Sequence, residues 1–447
     1  MMQSSDGQMQ EENQKHSEIA PECSQKPEAK IPRGIFAISL FGFFLGMSTT
    51  MVYSQLSLFL KNDIGLSVSD ITNLDGIVEG FSFLTRIFAG PVSDFFASRK
   101  ALLVLGCAVT LLARFFLPMA RGFGSIFGIQ LAERFGNGLQ ATPRDALIAD
   151  ITPRSIRGRV YGLTRSVKTT GALIGGLLAI SVMSYYSDDF RAVFRIAVIP
   201  VVVALICLCF VKEHKRSDAA GDKRENPFKR KYLKSLDFPF WKLILLVLIF
   251  QLGHFTEHLF PIYMEKFVST RVSCTTGIMV NLGQVCLAFT IGFLADKFGK
   301  GKFIRFCIMN TLFANICFLL APYIANTFGF SLDLSRLFGE GFVITAPAVC
   351  VYLGLFLWGG QLAAIESLFL SIITEQAAFH LRATAIGIFS IIMGFGYWAA
   401  SKTGGIIWDN CGSSYVFMYS MFFCLLSFFL TFILIPKKYN VNLEKNS

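Results

Sequence analysis

Apolar and polar positions fall in long blocks along this chain rather than in a short-period weave. Runs of about 20 or more mostly apolar residues, each long enough to cross a hydrocarbon core of about 30 Å as a helix, are parted by short polar breaks. The runs predict twelve helical spans. The first six are Ile35–Leu60, Ile71–Phe95, Ala101–Ala120, Ser125–Ala149, Gly158–Met183 and Phe190–Val211. The second six are Phe240–Met264, Thr275–Ala295, Phe303–Ala325, Phe342–Ile372, Ala383–Ile407 and Tyr415–Ile435. Phe342–Ile372 is too long for one straight span and is expected to include a loop portion. The pattern is that of an all-α membrane protein. It divides into a polar tail (1–34, expected to be disordered), a six-helix bundle (35–211), a basic linker (212–238), a second six-helix bundle (239–435) and a short tail (436–447).

The two halves repeat one plan. Gly90-Pro91-Val92-Ser93-Asp94 closes the second span, and Arg99 and Lys100 open the third. A rewritten copy, Gly292-Phe293-Leu294-Ala295-Asp296, lies 202 positions later and is followed by Lys300 and Lys302. A second echo places Asp150, Arg157 and Gly162 against Glu375, Arg382 and Gly387 at an offset of 225, because Ala325–Gly341 is longer than its counterpart Ala120–Gly124. Two copies of one bundle differing by a loop insertion are the mark of a duplicated transporter. Carboxylates at helix ends are costly in lipid unless paired. The loop and helix-end set Gly90, Asp94, Arg99, Lys100, Arg144, Asp145, Asp150, Arg157, Gly292, Asp296, Lys302, Glu375 and Arg382 is therefore expected to lock helix ends by ion pairs and to act in conformational switching.

Composition fits that reading. Apolar residues make up 53% of the chain, too many for a soluble fold with so little charge. The net charge of +11 is concentrated in the segments on the side of the termini. That is the positive-inside bias of a multi-pass protein with both termini in the cytoplasm, and it speaks for anionic lipid rather than nucleic acid as the basic surface's partner. Most cysteines fall inside apolar runs and no C-x-x-C pair occurs, so neither a disulfide framework nor a cysteine metal site is expected. Glycines gather in Gly158–Met183 and Ala383–Ile407, where they suit close, mobile helix packing.

Ionisable groups inside the spans carry the functional information, since each costs on the order of 2–3 kcal/mol or more at the bilayer centre. The second span has Asp75, Glu79 and Arg86 on one helical face. The fourth has Glu133, Arg134, Arg144 and Asp145, the fifth Arg165 and Lys168, and the tenth Glu366. Glu79 and Arg134, nearest mid-membrane, are expected to face a hydrated cavity. Arg134, Arg165 and Lys168 together tilt the expected solute toward an anion or zwitterion. The seventh span carries Gln251, His254, Glu257 and His258. Read as a helix, His254, Glu257 and His258 share one face. Buried carboxylate and imidazole both suit proton binding and release there. The same H-x-x-E-H spacing matches an inverted zinc-peptidase motif, which keeps an intramembrane zinc hydrolase open as an alternative.

The loop copies resemble the major facilitator superfamily motif G-x-x-x-D-R-x-G-R-K, the second copy well and the first with departures at Phe95 and Ala97. Arg134-Phe135-Gly136-Asn137-Gly138 resembles the family's R-x-x-Q-G, with Asn137 in place of glutamine. Pro143-Arg144-Asp145-Ala146-Leu147-Ile148-Ala149-Asp150 and Arg157-Gly158 are similar to a narrower group of bacterial facilitators, from which Asn137, Gln140 and Lys168 depart. The resemblance implies twelve transmembrane helices in two pseudo-symmetric bundles, a proton-coupling role for Arg134, and an acidic residue at the place of Glu257. It implies a monomeric secondary active transporter of the bacterial inner membrane that moves a small organic solute, with protons, by alternating access. No cofactor or metal is expected. An efflux carrier for drugs or siderophores on the same fold is the nearest alternative.

Overall fold

The computed structural model describes residues 33–95, 99–152, 157–211, 238–286, 299–327, 329–338, 342–376 and 382–436. The expected tail, most of the linker, and Gly292 and Asp296 lie outside them. So do the surroundings of Gly90 and the side chains of Asp94, Arg157, Glu366, Glu375 and Arg382, although the helices that carry them are described.

The first half is six long helices: α1 (Arg33–Leu58, prolonged by a π turn, Phe59–Asp63), α2 (Val68–Phe95), α3 (Arg99–Phe116), α4 (Phe123–Ile151), α5 (Arg157–Tyr185) and α6 (Phe190–Cys209). The second half runs α7 (Phe238–Leu252), α8 (Leu259–Met264), α9 (276–286), α10 (Lys300–Thr327), α11 (Ala346–Gln376), α12 (Arg382–Cys411) and α13 (Ser413–Leu434). Antiparallel strands β1 (Ser331–Asp333) and β2 (Val343–Thr345) pair ahead of α11. The start of Phe342–Ile372 is therefore the expected non-helical portion. Gly412, at φ +101, lets α12 turn into α13 within one residue, a conformation side-chain-bearing residues resist.

One expectation is corrected. Phe240–Met264 is not one helix: it breaks between Leu252 and Leu259, so the seventh span is α7, an irregular stretch through Gly253–His258, and α8. Irregular backbone at membrane depth persists only where its polar groups are satisfied or line a cavity. Here the carbonyl of Gly253 accepts from Ser420 Oγ of α13 at 2.6 Å, and Thr256 Oγ1 accepts the His258 N–H at 3.1 Å.

Large apolar side chains remain exposed on outward faces, among them Phe306, Phe313 and Leu320 on α10 and Phe422, Phe429 and Ile433 on α13. Such stripes are the lipid-facing side of a bundle. The buried core is divided unevenly. At the end distal to the chain termini, one apolar cluster joins both halves, from Met51, Phe59 and Phe194 to Phe260, Trp358 and Phe417. At the terminal end the described residues form two buried cores, one around Phe41, Leu103 and Val201, the other around Phe240, Ile304 and Phe389 with Phe83 of the first half packed against it. Among the described residues the buried core is thus shared at the distal end and divided toward the termini.

Helix α5 lies directly on α1. A Cβ on Gly171 would fall 2.1 Å from the Phe43 carbonyl oxygen, and one on Gly175 2.1 Å from that of Met47. Backbone cannot step aside as a flexible side chain can, so Gly175→Ala should cost about 1–3 kcal/mol. Chemical denaturation of the purified protein should show that loss, whereas Gly162→Ala, with open space at its Cβ, should be silent. The glycines that face the seam between halves are different ones: Gly176 against Ile278, Gly394 against Gly80, and Gly405 against Thr72.

Candidate functional site

Asp75 of α2 is the centre of the buried polar network. Its carboxylate accepts hydrogen bonds from Tyr53 Oη of α1 at 3.1 Å, Thr256 Oγ1 in the helix break at 2.7 Å and Tyr397 Oη of α12 at 2.9 Å. His258 Nε2 lies 3.4 Å away and Arg134 of α4 3.9 Å. One turn along α2, Glu79 pairs with the same guanidinium at 3.2 Å. Arg134 also lies over the Tyr53 ring at 4.4 Å, and Tyr53 stacks on His258 at 4.7 Å between centroids. One arginine therefore serves two carboxylates, and the donors around Asp75 come from both halves of the molecule. Charge-assisted bonds of this kind are short and strong in a dry interior.

The histidines of the seventh span part company at the break. His258 turns to Tyr53 of the first half, while His254 is buried against Trp358 of α11 with 4.5 Å between ring centroids. The shared helical face expected of His254, Glu257 and His258 is lost because the backbone between them is not helical. Among the described residues no group of three or more His, Cys, Asp or Glu is placed to hold a metal ion. Gln251 is buried, packed beside Gly396. Glu257 and His258 line a cavity of about 170 Å³ with Tyr53, Phe260, Thr276 and Asn281.

Arg165 and Lys168 do not line that cavity among the described residues. Both are exposed on α5. Arg165 is three turns from Gly176, on the stripe that meets Ile278 across the seam, and Lys168 lies along α1 at Gly46. Toward the terminal end, Arg99 pairs with Asp150 and donates to the Ala146 carbonyl at 2.8 Å. Lys100 Nζ donates to the carbonyls of Cys209 and Val211 at 3.1 and 2.7 Å, a cation at the C-terminal end of α6. Arg144 bonds its neighbour Asp145 at 3.0 Å, Lys300 reaches Ser371 Oγ at 2.7 Å, and Lys302 is exposed.

A second buried pair escaped the reading of the sequence. Arg114 of α3 and Glu133 of α4 are 2.8 Å apart, with side chains 0% and 3% exposed. Arg114 also donates to Ser48 and, at 2.9 Å, to Thr49 Oγ1 of α1. Its signal was an arginine within an apolar run, easily taken for one that reaches out to the lipid headgroups.

The distal end is latched across the seam. Lys61 Nζ and Asn62 Nδ2 reach the Glu265 carboxylate at 2.7 and 2.9 Å, Arg271 pairs with Asp188, and the Ser69 N–H donates to Asp409 at 2.8 Å. Burial alone would raise the Glu265 carboxyl, but the bonds from Lys61, Asn62 and Thr270 together hold it below its ordinary value of 4.5. A carboxyl depressed in the closed form stabilises that form above its ordinary value and loses the effect as pH falls through the lower one. In a cysteine-free background with spin labels at Ser187 and Asn410, Glu265→Gln should lengthen the distal distance at neutral pH. The parent protein should do so only on acidification, and the glutamine variant should not respond. The shift should be a few-fold in population at most, since Lys61 is 37% exposed.

A helical membrane protein of two bundles, closed at one end, with buried charges spanning the seam at a helix break, is built as a carrier. The chain belongs to the Major Facilitator Superfamily, whose family model matches residues 38–357. It is 23% identical over 412 residues to an uncharacterised MFS-type transporter of Methanocaldococcus jannaschii, MJ1317, covering 90% of this chain and 94% of that one. A mutant of the nucleoside transporter NupG superposes with a TM-score of 0.70 at 13% identity, over 90% of this chain and all of that one. A D-xylose–proton symporter does so at 0.64 and 15% identity, over 92% and 99%. This chain shares their fold, an all-α membrane fold of two helix bundles. The protein is an integral, multi-pass membrane transporter of a small molecule, not an enzyme.

Proposed function

We propose that this protein is a proton-coupled secondary carrier of a small polar organic solute in a bacterial inner membrane, with both termini in the cytoplasm. The observation that supports it best is the sharing of Arg134 between Asp75 and Glu79 at the break in the seventh span. While both carboxylates are ionised, one guanidinium must divide between them. A proton taken up by either frees the arginine for the other, and the strength of Asp75's ties to Thr256 and Tyr397 of the second half changes with it. Proton binding at that place biases the seam between the halves, which is what coupling requires. The solute binds in the adjoining cavity at Glu257 and His258. The named transport of a nucleoside and of D-xylose with protons by two structures of this fold is in keeping with a polar organic cargo.

Proteoliposomes holding a pH-sensitive dye and the full chain provide the test. Sugars, nucleosides and amino compounds are added singly, and proton flux is read beside counterflow of labelled solute. At least one solute should give saturable counterflow together with proton movement that a protonophore abolishes. Counterflow without proton movement would remove the coupling, and its absence for the whole panel would remove the assigned cargo.

A further inference from the structure

The wall of the central cavity is rich in lone pairs and poor in protons. Ser54 Oγ already donates to the Thr50 carbonyl at 2.8 Å, Thr276 Oγ1 to the Ser273 carbonyl at 3.0 Å and Asn281 Nδ2 to the Gly277 carbonyl at 2.8 Å. Tyr53 donates its hydroxyl proton away from the cavity, to Asp75. What these groups can still offer a solute is chiefly acceptor capacity, beside the one remaining N–H of Asn281. The acid in the wall is Glu257, half-buried, with no hydrogen-bond or ion-pair partner among the described residues, and no lysine or arginine lines the cavity among them. Its charged neighbours are Asp75, Glu79 and Arg134, two carboxylates against one guanidinium. His258, 3% exposed and part of the same wall, turns its Nε2 to Asp75 at 3.4 Å. An unpaired carboxylate and unused acceptors at membrane depth are costly unless a ligand supplies the missing donors and charge.

We propose that the cavity selects a small organic cation, a protonated amine on a hydroxylated body, and that Glu257 reads its charge. The ammonium would bond the Glu257 carboxylate and lie beside the Tyr53 and Phe260 rings, which favour a cation over an anion. The hydroxyl protons of the solute would meet the oxygens of Ser54, Thr276 and Asn281. About 170 Å³ is room for roughly six waters at ~30 Å³ each, so the fitting solute is of single-sugar size. This sign is opposite to the one that Arg134, Arg165 and Lys168 suggest from sequence, because none of the three lines the cavity among the described residues.

The inference rests on the carrier reading, yet its test reads binding alone, without transport or proton flux. Three probes of one skeleton differ in charge: glucamine is a cation, sorbitol neutral and gluconate an anion. Titration calorimetry of the purified full chain should give a dissociation constant for glucamine about tenfold or more below those of the other two. Glu257→Gln should bring glucamine to parity with sorbitol while sorbitol binding persists, which also shows the variant folded. Should that variant bind nothing, Asn281→Asp decides: a second carboxylate in the same wall should widen the preference for glucamine. Equal or tighter binding of gluconate or sorbitol to the parent protein, an undiminished preference in Glu257→Gln, no widening in Asn281→Asp, or binding of none of the three overturns the proposal. Proton flux driven by gluconate would overturn it while leaving the coupled carrier standing.

Discussion

Asp75→Asn should lower coupled transport about 100-fold or more, with the protein still folded. The substitution keeps the shape of the side chain but replaces one acceptor oxygen by an NH2 group. That group must face hydroxyls that now donate, from Tyr53, Thr256 and Tyr397, with the Arg134 guanidinium and the His258 ring nearby. Buried donors left without an acceptor cost about 1–3 kcal/mol each, and removing one partner of a buried ion pair costs about 3–5 kcal/mol. Since about 1.4 kcal/mol is tenfold, a loss in this range is two to three powers of ten in the population able to complete the cycle. Initial rates in proteoliposomes measure it, and a rate within threefold of the parent would show that Asp75 is structural filler. Glu79→Gln should do less, because Glu79 is 18% exposed at its side chain and makes its ion pair at the periphery of the network.

The largest effect on stability is expected at Arg114. Arg114→Met leaves Glu133 without its buried ion-pair partner and takes away the donors to Ser48 and Thr49, so α1, α3 and α4 lose their common tie. The expected cost is about 3–5 kcal/mol, most of it the stranded carboxylate rather than the lost attraction. That account has a distinctive consequence. The double variant Arg114→Met with Glu133→Leu, which strands no charge, should be more stable than Arg114→Met alone. Denaturant titration of the parent, the two single variants and the double variant checks it; a double variant as unstable as the two single losses added together would mean that Arg114 and Glu133 contribute independently and that no stranded charge explains the loss.

The fold was legible because burial in lipid leaves so coarse a pattern. Each of the twelve predicted spans meets described helix over at least part of its length, the seventh with a break inside it, and the insertion seen as an offset between the halves is where β1 and β2 pair. The seventh span was misread for a physical reason. An apolar run of that length looks the same whole or broken, and Gly253 and Pro261 are common enough in membrane helices to mark nothing alone. Within the site, Glu79 and Arg134 meet because they sit at one depth, which spacing along the chain conveys. Asp75 was seen as a neighbour of Glu79 on one face, yet its donors Tyr53, Thr256 and Tyr397 lie on three other elements whose rotations no linear pattern records. Arg165 and Lys168 share the sign of Arg134 and not its surroundings. The loop residues Asp94 and Asp296 had the strongest motif and lie where side chains are not described.

The uneven division of the core bears on how the cycle must run. At the distal end the two halves are sealed by apolar side chains such as Phe59, Phe194 and Phe260, so prising them apart means wetting a surface that water avoids. The force holding such a seal grows weaker as temperature drops, and its rupture carries a large heat-capacity increment. Cooling would then ease the unsealing step while slowing everything else. The turnover rate of this carrier should bend in an Arrhenius plot where a seal made of salt bridges would leave it straight.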